Sequence, residues 1–238
     1  MSTIKERIAL LRDAMRKAGV SACIVPGTDP HASEYIAECW KDRVWISGFN
    51  GSAGTVVVSL NNAGLWTDSR YFLQAADQLA GSGIDLMKMG LSETPDQISW
   101  FSTELKAGEK VVVNPQMFSV NGYAALQNDL KQFGIELVSL DLMSEVWTDR
   151  PAIPLNPFFV FDAKYTGKTA AEKLTDLRVE LKKQRAGVFI MSALDDIAWL
   201  YNIRGNDVDY NPVTIAYSVV ESDKATLYIA SEKLTPET

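Results

Sequence analysis

The order of apolar and polar positions opens with a helical period. Ile4, Ile8, Leu11 and Met15 fall on one stripe, and Thr3-x-x-Glu6 at its head has capping-box spacing. Gly19 ends that helix, and the apolar run at 20–25 (VSACIV) predicts a buried strand. The same order returns later in the chain. Thr169-x-x-Glu172 is a second capping box, Leu174, Leu177 and Leu181 form its stripe, and Gly187 precedes a strand at 188–191 (VFIM). Each strand leads into an acidic turn and a short apolar helix, at 29–36 (DPHASEYI) and 195–201 (DDIAWLY). Each then meets a glycine-bearing loop, around Gly48 (SGFNGSAG) and around Gly205 (IRGNDVDYNP). Hairpins follow: 55–59 with 64–67, turning at Asn61-Asn62, and 214–219 with 225–229, turning at Ser222-Asp223. The pattern is one α/β unit used twice, offset by about 160 residues.

Residues 150–157 (RPAIPLNP) separate the copies. Three prolines in eight residues favour an extended connector over a helix or central strand. The expected organisation is a first domain at 1–150, a connector at 151–157 and a second domain at 158–238. Strands at 110–113 (KVVV) and 136–140 (ELVSL), flanking a helix near 121–133, add βαβ character to the first domain. The second copy is expected to end early, at LTPET.

Composition narrows the functional classes. The 238 residues are 47% hydrophobic and 22% charged, an ordinary globular balance. A net charge of −7 disfavours nucleic acid or an anionic membrane as partner, and no apolar run reaches membrane-spanning length. The N-terminus lacks the apolar block of a signal peptide, and Cys23 and Cys39 make no disulfide framework, so a cytoplasmic location is expected.

Candidate chemistry is sparse. The loop at 46–58 (ISGFNGSAGTVVV) carries Gly48, Gly51 and Gly54, but no lysine follows and the next element is a strand, so the phosphate-loop, dinucleotide and nucleophile-elbow templates all fail. A structural bend is the expectation. His31 is the sole histidine, the cysteines lack metal-ligand spacing, and no metal site or nucleophile–base set is visible. Asp195-Asp196 and Asn206–Asp209 miss the EF-hand pattern and read as capping and turn residues. In WTDSRYFL, Arg70 stands where a strand opens into a helix. It either grips a ligand carboxylate or carbonyl, or pairs locally with Asp68 while Tyr71 and Phe72 pack.

The motifs DPHASEYI, ISGFNGSAGT, LWTDSRYFLQA, LMKMG, VWTDRP and LDDIAWLYNIRGNDVDYNPV resemble, in order, those of the aminopeptidase P family. These are the Xaa-Pro aminopeptidases of the creatinase-like group, here in the long, three-domain, cytosolic-type form. The resemblance implies two tandem creatinase-like N-terminal domains, each a mixed β-sheet flanked by helices. It further implies a parent enzyme that removes an N-terminal residue preceding proline, acting as a homodimer on peptides with a penultimate proline. The parent's two divalent metal ions, usually manganese, sit in a C-terminal "pita-bread" domain, and this sequence stops where that domain is expected to begin. No catalytic or metal residue is therefore carried over, and the chain alone is expected to be inactive. Arg70 matches the arginine of the family's WTD-x-RYFL motif, which implies a substrate-binding role in the cleft. The rival expectation is a stand-alone peptide- or partner-binding module without catalysis. Creatine or proline-dipeptide hydrolysis is a weaker match, since those relatives carry one N-terminal domain.

Overall fold

The computed structural model describes residues 2–237 and divides into two compact units. The first contains residues up to Thr28 together with Cys39–Pro151; the second contains Asp29–Glu38 and the residues from Ala152 onward. The sequence reading kept 29–38 with the first unit, whereas the contacts group it with the second.

The first unit begins with α1 (Ile4–Ala18), closed at its head by the Thr3–Glu6 capping box and at its end by left-handed Gly19. Then come β1 (Ala22–Pro26), α2 (Asp42–Ser47) and the hairpin of β2 (Thr55–Ser59) and β3 (Ala63–Thr67). The chain continues through α3 (Phe72–Gln78), β4 (Asp85–Lys88), α4 (Gln97–Glu104), β5 (Lys110–Val113), α5 (Val120–Lys131), β6 (Glu136–Ser139) and α6 (Met143–Val146). Six strands form one mixed sheet in the order β4-β3-β2-β1-β5-β6, antiparallel from β3 to β1 and parallel elsewhere. Alternation along β1 sends its side chains to two cores. Cys23 and Val25 join Leu11, Met15, Met143 and Val146 on one face, and Ala22 and Ile24 join Trp100, Phe101 and Leu130 on the other. Helices therefore cover both faces, as a sheet with buried parallel strands requires.

The second unit contains β7 (Phe159–Val160), α7 (Ala163–Thr166), α8 (Ala170–Lys183), β8 (Val188–Met191), α9 (Leu194–Tyr201), β9 (Ile203–Arg204), β10 (Ala216–Glu221) and β11 (Ala225–Ile229). The strands form an antiparallel sheet in the order β11-β10-β8 and a separate β7–β9 pair. Its core gathers Leu181, Met191, Ile197, Leu200, Ala216 and Val220.

The duplication extends to single bonds. Arg12 Nε donates to the carbonyl of Ser59 at 2.9 Å, and Arg178 Nε donates to that of Glu221 at 2.9 Å. The Val20 amide reaches back to the Met15 carbonyl, as Ala186 does to Leu181. The left-handed residue ending α8 is Arg185, φ 54°, rather than a glycine.

One expected element is absent. Residues 29–36 form turns instead of a helix. The Asp29 carboxylate accepts from the amides of His31 and Ser33, both at 2.9 Å, and Ala32 adopts φ 56°. A side chain that takes over two amides in this way competes directly with the helical pattern. The helix of this region is instead α2, which the glycine-loop reading did not include.

Arg150 lies 2.6 Å from buried Asp42 and donates to the carbonyl of Cys39. Burial pushes the Asp42 carboxyl up from its ordinary 3.8 to about 7, outweighing the pull of Arg150, and Asp141 adds to the rise. The folded state thus holds a proton that the unfolded chain has released. This contribution to stability is complete below about pH 4 and is lost as pH rises to about 7. Asp42→Asn should therefore show a shallower fall in urea midpoint between pH 4 and pH 7 than the unaltered chain. Parallel slopes would contradict the raised carboxyl.

Candidate functional site

Arg70 sits where β3 ends. Asp68 caps the 3₁₀ turn Ser69–Tyr71 by accepting from the Arg70 amide at 3.0 Å, and its two oxygens accept from Arg70 Nε at 2.9 Å and Nη2 at 2.8 Å. This fork holds the Asp68 carboxyl below the usual carboxylate range. The Arg70 side chain remains 64% exposed, so the guanidinium is aimed by Asp68 without being buried by it. The local Asp68–Arg70 ion pair of the sequence reading is present, and the guanidinium stays exposed beside it.

The support behind Arg70 comes from the glycine loop. Tyr71 donates or accepts at 2.7 Å with Ser52 Oγ, and its ring meets Phe49 edge-on at 5.7 Å. Asn50 ties the loop tip to α3, its Oδ1 accepting from Gln74 at 2.7 Å and from Gln78 at 2.9 Å. Beneath them lies Arg43, a buried cation. It donates to the carbonyls of Phe49 and Gly51 and stands 5.0 Å from the Phe49 ring centre. Burial lowers the Arg43 pKa to about 10, which leaves it charged at neutral pH.

The glycines answer to this arrangement. A Cβ on Gly51 would lie 2.4 Å from the Phe49 ring and 2.7 Å from Tyr71. A Cβ on Gly27, in the turn after β1, would lie 2.4 Å from Arg43 Nε. Gly48 closes α2 in the left-handed region at φ 75°. The loop is a bend wrapped around a cation, not a phosphate cradle. Sequence reasoning missed Arg43, because nothing in KDRVWIS marks that arginine as interior.

In the second unit His31 is a buried turn residue. Its Nδ1–H donates to the Ser192 carbonyl at 2.8 Å, and its ring stacks on Tyr217 at 4.4 Å. Burial lowers its pKa against the opposing influence of Ser192 and Asp29. A shallow cavity of about 320 Å³ beside it is lined by Glu34, Tyr35, Asp195 and Asn211. Asp207, expected in a turn, is interior. Its Oδ2 accepts from Thr214 Oγ1 at 3.0 Å, from the Ile215 amide at 2.6 Å and from buried Lys233. Among the described residues no group of three or more His, Cys, Asp or Glu side chains is placed to hold a metal ion. The donors of a dinuclear metal centre are not found there.

Two family models match the chain: a creatinase/prolidase N-terminal domain over residues 7–146 and a second such domain over 149–238. The chain is 47% identical over 236 residues to a "probable Xaa-Pro aminopeptidase P" of Sordaria macrospora, covering 98% of this chain and 38% of that protein. A protein of the same name from Neurospora crassa is 46% identical, with 98% and 34% coverage. X-prolyl aminopeptidase from Caenorhabditis elegans, a cytosolic enzyme with a di-nuclear active site, superposes with a TM-score of 0.93 at 35% identity. That match covers 100% of this chain and 40% of that one. The chain thus spans well under half the length of these three relatives.

Two substitutions test the brace. Arg43→Met strands two buried carbonyls and should cost about 2–3 kcal/mol of unfolding free energy. Gly51→Ala forces Phe49 and Tyr71 apart and should cost about 1–3 kcal/mol. Urea denaturation monitored by tryptophan fluorescence measures both, and unmoved midpoints would remove the loop's bracing role.

Proposed function

Because the chain belongs to the creatinase/prolidase N-terminal domain family, we propose that it is the two-domain, non-catalytic region of an Xaa-Pro aminopeptidase. The observation that carries this reading is the ordered match of both domains, over nearly the whole chain, to proteins bearing that name. In this reading these domains help to shape the parent enzyme's cleft for peptides with penultimate proline, limit peptide length and assist homodimer formation. The location is cytoplasmic, a reading supported by the description of the Caenorhabditis elegans relative as cytosolic. No helix among the described residues is long and apolar enough to cross a membrane. Two divalent ions, manganese in this reading, belong to a catalytic domain outside the present chain.

Arg70 is the substrate-contact residue of this proposal. Its support is geometric: an exposed guanidinium, pre-oriented by a two-point bond to Asp68 and by a braced Tyr71. A planar fork of this kind suits a peptide carbonyl or carboxylate, and Asp68 lowers the entropy lost when the ligand binds.

In the full-length enzyme, Arg70→Ala should lower kcat/KM on an Xaa-Pro-Xaa peptide about ten- to a hundredfold, the worth of one charged hydrogen bond. Its melting temperature should stay unchanged, since the side chain is exposed. Wild-type kinetics would refute the assignment. The 238-residue chain, given manganese and the same peptide, should give no turnover; metal-dependent hydrolysis by it would overturn the non-catalytic reading.

A further inference from the structure

The sequence holds two Asn-Gly dipeptides, Asn50-Gly51 and Asn121-Gly122, and the structure treats them in opposite ways. Asparagine is chemically labile, and a following glycine is its least hindered partner, because no Cβ shields the glycine amide nitrogen. Attack by that nitrogen on the asparagine Cγ closes a five-membered succinimide. The two groups are neighbours in one chain, so the step depends on how the fold presents each of them.

Asn50 is exposed at the tip of the glycine loop. Gln78 clamps it at two points: Gln78 Oε1 accepts from the Asn50 amide at 3.1 Å, and Gln78 Nε2 donates to Asn50 Oδ1 at 2.9 Å. Gln74 Nε2 donates to the same oxygen at 2.7 Å. Negative charge gathers on Oδ1 when Cγ is attacked, so two donors already aimed at that oxygen act as a small oxyanion hole. The nucleophile and the leaving group are unrestrained. Neither the Gly51 amide nor Asn50 Nδ2 donates a hydrogen bond to any of the described residues.

Asn121 lacks each of these features. It lies in the first turn of α5, where the backbone is held helical, and the Gly122 amide donates to Ser119 Oγ at 3.0 Å. Among the described residues no group donates to Asn121 Oδ1.

We propose that Asn50 is a site of spontaneous modification, converted through a succinimide to aspartate and isoaspartate. The Gly51 nitrogen gives up its proton to solvent and bonds to Cγ. The Cγ–Nδ2 bond breaks, and Nδ2 takes a proton from water and departs as ammonia. Water then opens the ring. Opening at Cγ gives aspartate, and opening at the main-chain carbonyl leaves Gly51 joined through Cγ, which is isoaspartate. In the second product the main chain is one atom longer between the Phe49 and Gly51 carbonyls, the pair that Arg43 holds. A change at the exposed loop tip thereby reaches the buried cation. The inference rests on this loop alone and is independent of the peptidase reading.

Peptide mapping by mass spectrometry, with isoaspartyl methyltransferase labelling, follows both asparagines while the folded chain is incubated at neutral pH. Asn50 should convert about tenfold faster than Asn121 and give both products. Replacing Gln74 and Gln78 together by alanine keeps α3 helical and removes the donors to Oδ1. Asn50 should then convert about tenfold more slowly, whereas mere loosening of the loop would speed it up. An Asn50 rate no greater than that of Asn121 would overturn the proposal. So would a double variant that converts Asn50 as fast as the unaltered chain does.

Discussion

The first unit is organised around one interior charge. Arg43 is withdrawn from water, and a guanidinium so placed is tolerated only where its hydrogens find acceptors. The acceptors are main-chain carbonyls of Phe49 and Gly51, so the demand of the cation dictates the path of the backbone. That path in turn requires residues without side chains at Gly27 and Gly51 and places Phe49 against Tyr71. Tyr71 follows Arg70 directly, so the interior cation and the exposed one are linked through two aromatic rings. Two of the Arg43 nitrogens are served by carbonyls in this way, while its Nε, also buried, has no hydrogen-bond partner among the described residues.

The second unit meets a comparable problem with opposite charges. Asp207 and Lys233 are both interior and face each other, with Thr214 and the Ile215 amide completing the set. Lys173 is a third interior cation, held by the Trp199 carbonyl at 2.7 Å and Asn202 Oδ1 at 2.6 Å. Each unit thus uses polar groups under its apolar clusters to select one loop geometry among several that hydrophobic burial alone would accept.

What the sequence revealed depended on the range of the responsible force. Both capping boxes, the stripes of α1 and α8 and the two hairpin turns are determined within a few residues, and all appear where the pattern put them. The second hairpin begins at Ala216 rather than at 214, because Thr214 and Ile215 are bonded to Asp207. Residues 29–36 read as a helix by analogy with 195–201, but Asp29 at their head captures the amides that a helix would use. Arg43 and Asp207 were illegible as interior residues, since their partners lie in loops whose course they themselves determine. Arg70 was visible as a candidate, yet its brace through Tyr71 and Ser52 joins positions too far apart for any local period to show.

The Lys233–Asp207 contact also has a mechanical meaning. Lys233 stands four residues after the end of β11, and its ammonium is anchored in the interior rather than to that strand. A force applied to the chain beyond Lys233 therefore does not peel β11 from β10 one hydrogen bond at a time. It loads the loop that carries Asp207 and Thr214 in shear, together with the start of β10. The hairpin is shielded from tension by a buried anchor, and tension reaches it only once the attraction between those two charges and the Lys233–Thr214 hydrogen bond are lost.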